Sequence, residues 1–261
     1  MDESLKCNRL FAVDGLVAVI TGGGSGLGLM MAMALAENGA SKVYIVGRRE
    51  NKLREAAASY PDILVPLPGD VTSQDSLQAM AQRVRQEKVT STCFLAKVYQ
   101  FNCAATYYTV LALLELLSDG NKRRESDAPH SQVIVTSNMV AFQRDPRYGF
   151  AYLGSKAALV RMVKSFATLV VGWETRFNTI APGLFPSDLS AAALAPFKRA
   201  KDKDLSEEGA FARSFLPAER AGSVQDMAGA LLYLASRAGA YVNGSVLLVG
   251  GGKKATTPAT Y

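Results

Sequence analysis

Hydrophobic positions along the chain fall into two alternating patterns. Short, continuous, β-branched-rich runs occur at residues 16–20, 43–46, 63–65, 132–136, 177–180 and 246–249. Such runs, bounded by Gly, Pro, Asn or Ser, predict strands buried on both faces. Between them, helical spacing predicts helices over 27–37, 51–59, about 73–86, 101–117, 152–171 and 223–235. Asn38-Gly39 marks one helix end, and Ser118-Asp119-Gly120 is read as another. Pro66 and Pro68 just after the third run remove ladder donors and predict an edge strand. Residues 121–131 read as a polar loop. The Ala-rich, charged stretch 188–215 reads as a mobile helical flap. Strands alternating with helices of this length predict a parallel α/β sheet with right-handed crossovers. No repeat or linker interrupts it, so residues 1–261 are expected to form one domain.

Composition narrows the classes. Of 261 residues, 49% are hydrophobic and 20% charged, which excludes a disordered chain. Three Cys (Cys7, Cys93, Cys103) are too few and too irregular for a disulfide framework. The single His, His130, excludes a site with two His ligands, and no metal is expected. It also leaves a Ser-His-Asp triad only one possible base. No uncharged apolar run reaches 18 residues, so no membrane span is expected. The acidic, polar start Met1-Asp2-Glu3-Ser4 is unlike a secretory leader, and a cytoplasmic location follows as an expectation. The net charge of +6 fits either nucleic acid or an anionic small ligand. No basic stripe interleaved with aromatics is present, so the small ligand is the expected partner.

The chemistry begins after the first strand, at Thr21-Gly22-Gly23-Gly24-Ser25-Gly26-Leu27-Gly28. Glycines there allow positive φ and let backbone N–H groups of Gly22, Ser25, Gly26, Leu27 and Gly28 approach a pyrophosphate. The following helix N-terminus adds a partial positive charge. Strand, glycine turn and helix in that order predict a dinucleotide site in a Rossmann-type doubly wound sheet. Past the second strand come Arg48 and Arg49, where an acid would hold a ribose 2′-hydroxyl. A guanidinium instead suits a 2′-phosphate, which favours NADP(H) over NAD(H). Asp70-Val71 is placed to meet the adenine.

Together with Asn102, Tyr152-x3-Lys156, Pro182-Gly183 and Gly250-Gly251-Gly252, these motifs resemble the short-chain dehydrogenase/reductase family over nearly the whole chain. Tyr152 and Lys156 are four residues apart and share a helix face. A free tyrosine titrates near about 10, and a neighbouring ammonium favours the phenolate. The resemblance implies that Tyr152 exchanges a proton with a carbonyl oxygen, that Lys156 also binds the nicotinamide ribose, and that Asn102 holds a relay water. It implies contacts of Gly183, Phe185 and Ser187 with the nicotinamide, and assembly as a homodimer or homotetramer through the helices bearing Asn102 and Tyr152. The expected substrate is a ketone or aldehyde interconverted with an alcohol, on an apolar small molecule of secondary metabolism.

Two departures stand out. Ser137-Asn138-Met139-Val140-Ala141 replaces the family's Ser-Ser-x-x-Gly, which puts Asn138 at the catalytic serine position. Its amide donates to a carbonyl but relays no proton through a rotating hydroxyl. Ser137 is expected to point the other way, and serves as the catalytic hydroxyl only if the loop shifts by one residue. The stretch between Gln86 and Phe101 lacks the family's Asn-Asn-Ala-Gly loop and is much too short. The central fourth strand is therefore expected to be short, at 92–96, or absent. These departures keep open a non-redox, cofactor-binding relative as the alternative.

Overall fold

The computed structural model describes residues 6–85, 92–96, 102–124, 128–145, 149–187, 190, 197 and 204–260. Its elements, in chain order, are α1 (Cys7–Leu10), β1 (Val17–Thr21), α2 (Gly26–Glu37), β2 (Lys42–Gly47), α3 (Glu50–Ala57), β3 (Leu64–Pro68) and α4 (Gln74–Arg85). They continue with β4 (Thr92–Ala96), α5 (Asn102–Lys122), β5 (Gln132–Thr136), α6 (Phe150–Leu169), β6 (Arg176–Pro182), α7 (Val224–Ala235) and β7 (Val246–Val249). The seven strands form one sheet in the order β3-β2-β1-β4-β5-β6-β7, and every neighbouring pair is parallel.

Strands buried on both faces need a helical layer on each. Ala18, Ile20, Val43 and Ile45 pack toward α2, α3 and α7 through Met31, Leu35, Leu53 and Leu231. Val17, Val19, Val133 and Val135 face the opposite layer through Leu77, Leu113, Leu117 and Val163 of α4, α5 and α6. The alternation along each strand divides one hydrophobic run between two cores.

The fourth strand is present. Val17–Thr21 pairs with residues 92–96 on one side, and residues 93–96 pair with residues 132–135 on the other. Five residues suffice because β1 and β5 supply ladder partners along both edges. The strand at Leu64–Pro68 occupies a sheet edge, as its prolines require, and runs through Pro66 and Pro68. A proline on an edge strand costs no ladder bond when its nitrogen side faces away from the sheet.

Two expectations are corrected. The helix expected to stop at Ser118-Asp119-Gly120 continues to Lys122. Burial of Leu116, Leu117 and Gly120 outweighs the turn signal, and a Lys122–Asp119 ion pair at 3.0 Å braces the last turn. In the 188–215 stretch, residues 204–215 form turns, not helix. Phe211 and Leu216 anchor that segment in a small core of their own. Residues 188, 189, 191–196 and 198–203 lie outside the described residues.

Residues 253–260 bind two distant segments. Lys253 is buried, donates to the Phe215 carbonyl at 2.6 Å and stands 4.0 Å from the centroid of the Phe215 ring. Ala259 bridges Gln143 in antiparallel fashion. The Thr260 N–H donates to the Phe142 carbonyl at 2.7 Å, and the Arg144 N–H to the Pro258 carbonyl at 2.8 Å.

At the other end of the sheet, Arg176 opens β6 with only 6% of its surface exposed. Its guanidinium donates to the carbonyls of Gly239 (2.9 Å), Val242 (3.2 Å) and Leu234 (3.4 Å), the last in the final turn of α7. A cation there satisfies carbonyls that helix geometry leaves open and complements the helix dipole. Arg176→Met is expected to lower stability by about 2 kcal/mol, because it removes charge-assisted bonds from carbonyls whose other donors are the Val242 N–H, Asn178 and Gln132. Urea unfolding checks this, and a loss below about 0.5 kcal/mol would contradict it.

Candidate active site

The residues singled out in the sequence gather where the strands end. In open α/β sheets ligands bind outside the carboxyl ends of the strands, where the strand order reverses. Here that point lies between β1 and β4.

The glycine turn after β1 is built to receive an anion. Gly22 and Gly26 adopt φ of +71° and +53°, and the Gly22 N–H is tied to the Val46 carbonyl at 2.7 Å. Gly28 packs so tightly on the turn that a Cβ would strike the Gly22 carbonyl oxygen and come within 2.8 Å of its carbon. Ser25 precedes α2 without a side-chain cap, so its hydroxyl takes up none of the helix's open N–H groups. Leu27 packs against the core beneath. These features fit a dinucleotide pyrophosphate.

Arg48 and Arg49 are exposed at the end of β2. The Arg49 guanidinium reaches Ser25 Oγ at 3.4 Å. Asp70 follows β3, and its carboxylate accepts from the N–H and hydroxyl of Thr72 at 2.9 and 2.7 Å. Those bonds, with the Arg48 charge behind them, hold its carboxyl below the usual range. Val71 packs against the lower core.

The second half of the site is carried by α5 and α6. Tyr152 is 36% exposed and Lys156 only 6%. Lys156 Nζ lies 5.7 Å from the centre of the Tyr152 ring and 3.4 Å from Asn102 Oδ1. Burial pushes the Lys156 ammonium down to about 8, opposed by the nearby Cys103 thiol. Ser137 is buried, and its hydroxyl donates to the Lys156 main-chain carbonyl at 2.8 Å, which fastens α6 to the end of β5. Asn138 starts a short 3₁₀ turn, Met139–Phe142, and its Oδ1 accepts from the Val140 N–H at 2.9 Å. That bond turns the amide NH2 of Asn138 away from the backbone.

The third group follows β6. The Gly183 N–H is held by the Val249 carbonyl at 2.8 Å. The Phe185 ring is buried in the core and lies hard against Gly222, and both residues border the cleft. Ser187 Oγ is 3.0 Å from Ser190 Oγ. Beside them a cleft is lined by Leu184, Leu216, Ala218, Val249 and Gly250.

The sequence-derived set thus divides. Asn102, Tyr152, Lys156 and Ser137 form one connected cluster, while Ser25, Arg48, Arg49 and Asp70 form another at the opposite end of the rim. The replacement for the Asn-Asn-Ala-Gly loop falls on residues 97–101, outside the described residues. His130 precedes β5, at the amino end of the strands, so it belongs to no triad here. Burial and the Arg124 charge lower its value. Sequence reasoning missed Ser155, whose hydroxyl joins Asn102 to α6. The signal for it was its place on the Tyr152–Lys156 face of the helix.

A doubly wound sheet with a glycine turn beside its switch point and a tyrosine–lysine helix across from it defines a dinucleotide-dependent oxidoreductase. Residues 16–92 match the family described as short chain dehydrogenase, and residues 88–254 match Enoyl-(Acyl carrier protein) reductase. The chain is 37% identical over 295 aligned positions to short-chain dehydrogenase/reductase PhomF of Diaporthe leptostromiformis, covering 99% of this chain and 98% of the relative. It is 36% identical over 314 positions to short-chain dehydrogenase/reductase VdtF of Byssochlamys spectabilis, covering 99% of each. The Pseudomonas aeruginosa RhlG/NADP active-site complex superposes with a TM-score of 0.79 at 27% identity, over 94% of this chain and 98% of that one. The chain belongs to the short-chain dehydrogenase/reductase family. Both alignments with the fungal relatives run longer than the 261 residues of this chain, so each relative has positions with no counterpart here.

Proposed function

We propose that this oxidoreductase interconverts a ketone or aldehyde with an alcohol, using NADP(H) in preference to NAD(H), on an apolar small molecule of secondary metabolism. The observation that carries the reading is the cluster on α5 and α6. A half-exposed phenol stands on the same helix face as a lysine buried to 6% exposure, with Asn102 against its ammonium.

In this reading Tyr152 gives a proton to the carbonyl oxygen of the substrate, or takes one from the alcohol in reverse. Lys156 supplies positive charge that favours the phenolate left behind. The Asn138 NH2 donates to the same carbonyl and orients it, and Ser137 keeps α6 in place. Gly22, Ser25, Gly26, Leu27 and Gly28 hold the pyrophosphate, and Asp70-Val71 borders the adenine. Gly183, Phe185 and Ser187 present backbone and hydroxyl groups to the nicotinamide end. The bound nicotinamide supplies or accepts the hydride. The apolar side of the cleft, formed by Leu184, Leu216 and Val249, supports an apolar substrate, while Arg220 and Asp226 border it with charge.

Arg48 and Arg49 are the basis for the cofactor preference, and RhlG, at 27% identity, is known in complex with NADP. Substituting both arginines by Ala is expected to weaken NADPH binding by about 10–100-fold and NADH binding by less than about threefold. Titration calorimetry with the two nucleotides checks it; equal losses for both would remove the 2′-phosphate reading.

Exposed Tyr107, Tyr108 and Leu111 on α5 support pairing of α5 and α6 with a second copy, as a homodimer or homotetramer. Among the described residues no helix is long and apolar enough to cross a membrane, and we place the protein in the cytoplasm with no nucleic-acid partner. The alternative, a cofactor-binding relative without turnover, is favoured by Asn138 and by the positions lacking here, which we assign to the span between α4 and α5. NADPH fluorescence together with a panel of ketones decides between them. Turnover abolished by loss of the Tyr152 hydroxyl supports catalysis; binding without turnover supports the alternative.

A further inference from the structure

Ser155 lies on α6 between the tyrosine and the lysine, one residue before Lys156. Its hydroxyl donates to the Tyr152 main-chain carbonyl at 2.9 Å. A hydroxyl has one proton, so toward any other neighbour Ser155 Oγ acts as acceptor. That neighbour is the Asn102 side chain, whose Nδ2 donates to Ser155 Oγ at 2.8 Å. The amide therefore presents NH2 to Ser155 and its oxygen to Lys156 Nζ, 3.4 Å from Oδ1. An ammonium is donor-only, so the reversed amide would set NH2 against NH3+ and leave Ser155 Oγ facing an acceptor.

We infer that Ser155 is a positioning residue for the reaction: it locks the Asn102 amide so that a carbonyl dipole faces the Lys156 ammonium. The inference rests on the reading of Tyr152 and Lys156 given above, and deepens it. The setting makes the lock matter. Lys156 is nearly enclosed, and burial already lowers it to about 8. Among the described residues, the titratable groups that face it are Tyr152 on its own helix and Cys103 on α5. The segment after β5 contributes Ser137, which is uncharged and bonded to the Lys156 main chain. In so dry a place an oriented amide oxygen favours the ammonium form. The Cys103 thiol, bonded to the Ser155 carbonyl at 3.5 Å, keeps α5 and α6 in register at the same point.

The test compares Ser155→Ala, which removes the acceptor, with Ser155→Thr, which keeps it. In the cofactor-free protein, the Asn102 side-chain amide is followed by ¹⁵N–¹H NMR and assigned by its loss in Asn102→Asp. In the wild type and in Ser155→Thr its two protons are expected to be protected and to shift as Lys156 titrates. In Ser155→Ala protection is expected to fall by about tenfold or more, and the shift to vanish. In turnover, the basic limb of kcat/KM is expected to move down by about half a pH unit or more in Ser155→Ala and to stay in place in Ser155→Thr. If Ser155→Ala fails to fold, Ser155→Cys, a weak acceptor, is expected to show the same direction. An amide signal and pH limb unchanged by loss of the hydroxyl, or Thr as impaired as Ala, would overturn the lock. A wild type with the amide signature but no turnover would instead overturn the proposed activity and leave the lock standing.

Discussion

Tyr152→Phe is expected to lower kcat by about 10³-fold while NADPH affinity stays within about twofold. The substitution removes one oxygen and keeps the ring. The ring lies at the surface of the rim, 36% exposed, so its packing is little changed. The oxygen is what the proposed chemistry needs, because the other hydroxyls in the cluster are committed: Ser137 bonds the Lys156 carbonyl and Ser155 bonds the Tyr152 carbonyl. Asn138 offers an amide, which transfers no proton at working pH. Steady-state kinetics and calorimetry on the same preparation separate rate from binding. A variant that keeps more than about a tenth of the wild-type rate would show that the proton comes from elsewhere, and the assignment of Tyr152 would fall.

Lys156→Met is expected to have two large effects of opposite sign. Turnover falls by about 10²-fold or more, because the phenolate loses its cation. Stability rises. Burial lowers the lysine from 10.5 to about 8 in the folded protein. Between those values the unfolded chain holds the proton and the folded chain does not, so stability increases with pH through that window. Below about pH 8 the folded protein carries a buried ammonium at a cost of about 3 kcal/mol. Methionine has similar length and no charge, so at pH 7 a net gain of about 1–3 kcal/mol is expected, a rise in Tm of several degrees. The gain should shrink toward zero near pH 10.5. Urea unfolding at the two pH values measures both ends. A variant less stable at pH 7, or equally stabilised at both, would show that the buried charge is not what the fold tolerates for the sake of the reaction.

Much of this architecture was legible in the residues because local and global preferences agree. The β-branched runs at 132–136 and 246–249 became β5 and β7 without a change of boundary, and Ser223 caps α7 in a full capping box with Asp226. In the glycine turn Gly22 and Gly26 need positive φ, and Gly28 an approach to backbone, that side chains forbid. What escaped depended on partners distant in sequence. Gly120 looks like a stop until Leu116 and Leu117 are seen to be buried. Residues 92–96 look too short for a central strand until β1 and β5 supply both ladders. Residues 204–215 carry helix-forming composition, yet Phe211 and Leu216 hold them as turns around a separate core. In the site, Tyr152 and Lys156 could be found from their spacing. The direction of the Asn102 amide could not, since it depends on Ser155, 53 positions away.

Residues 253–260 bear on how the rim can move. Lys253 fastens the segment that carries Leu216 and Ala218, and Ala259 and Thr260 fasten the stretch just beyond Asn138. One short ribbon of chain thereby sutures one bank of the cleft to the stretch beyond Asn138. A displacement of either segment would be passed through the ribbon to the other, and fraying it would free both together.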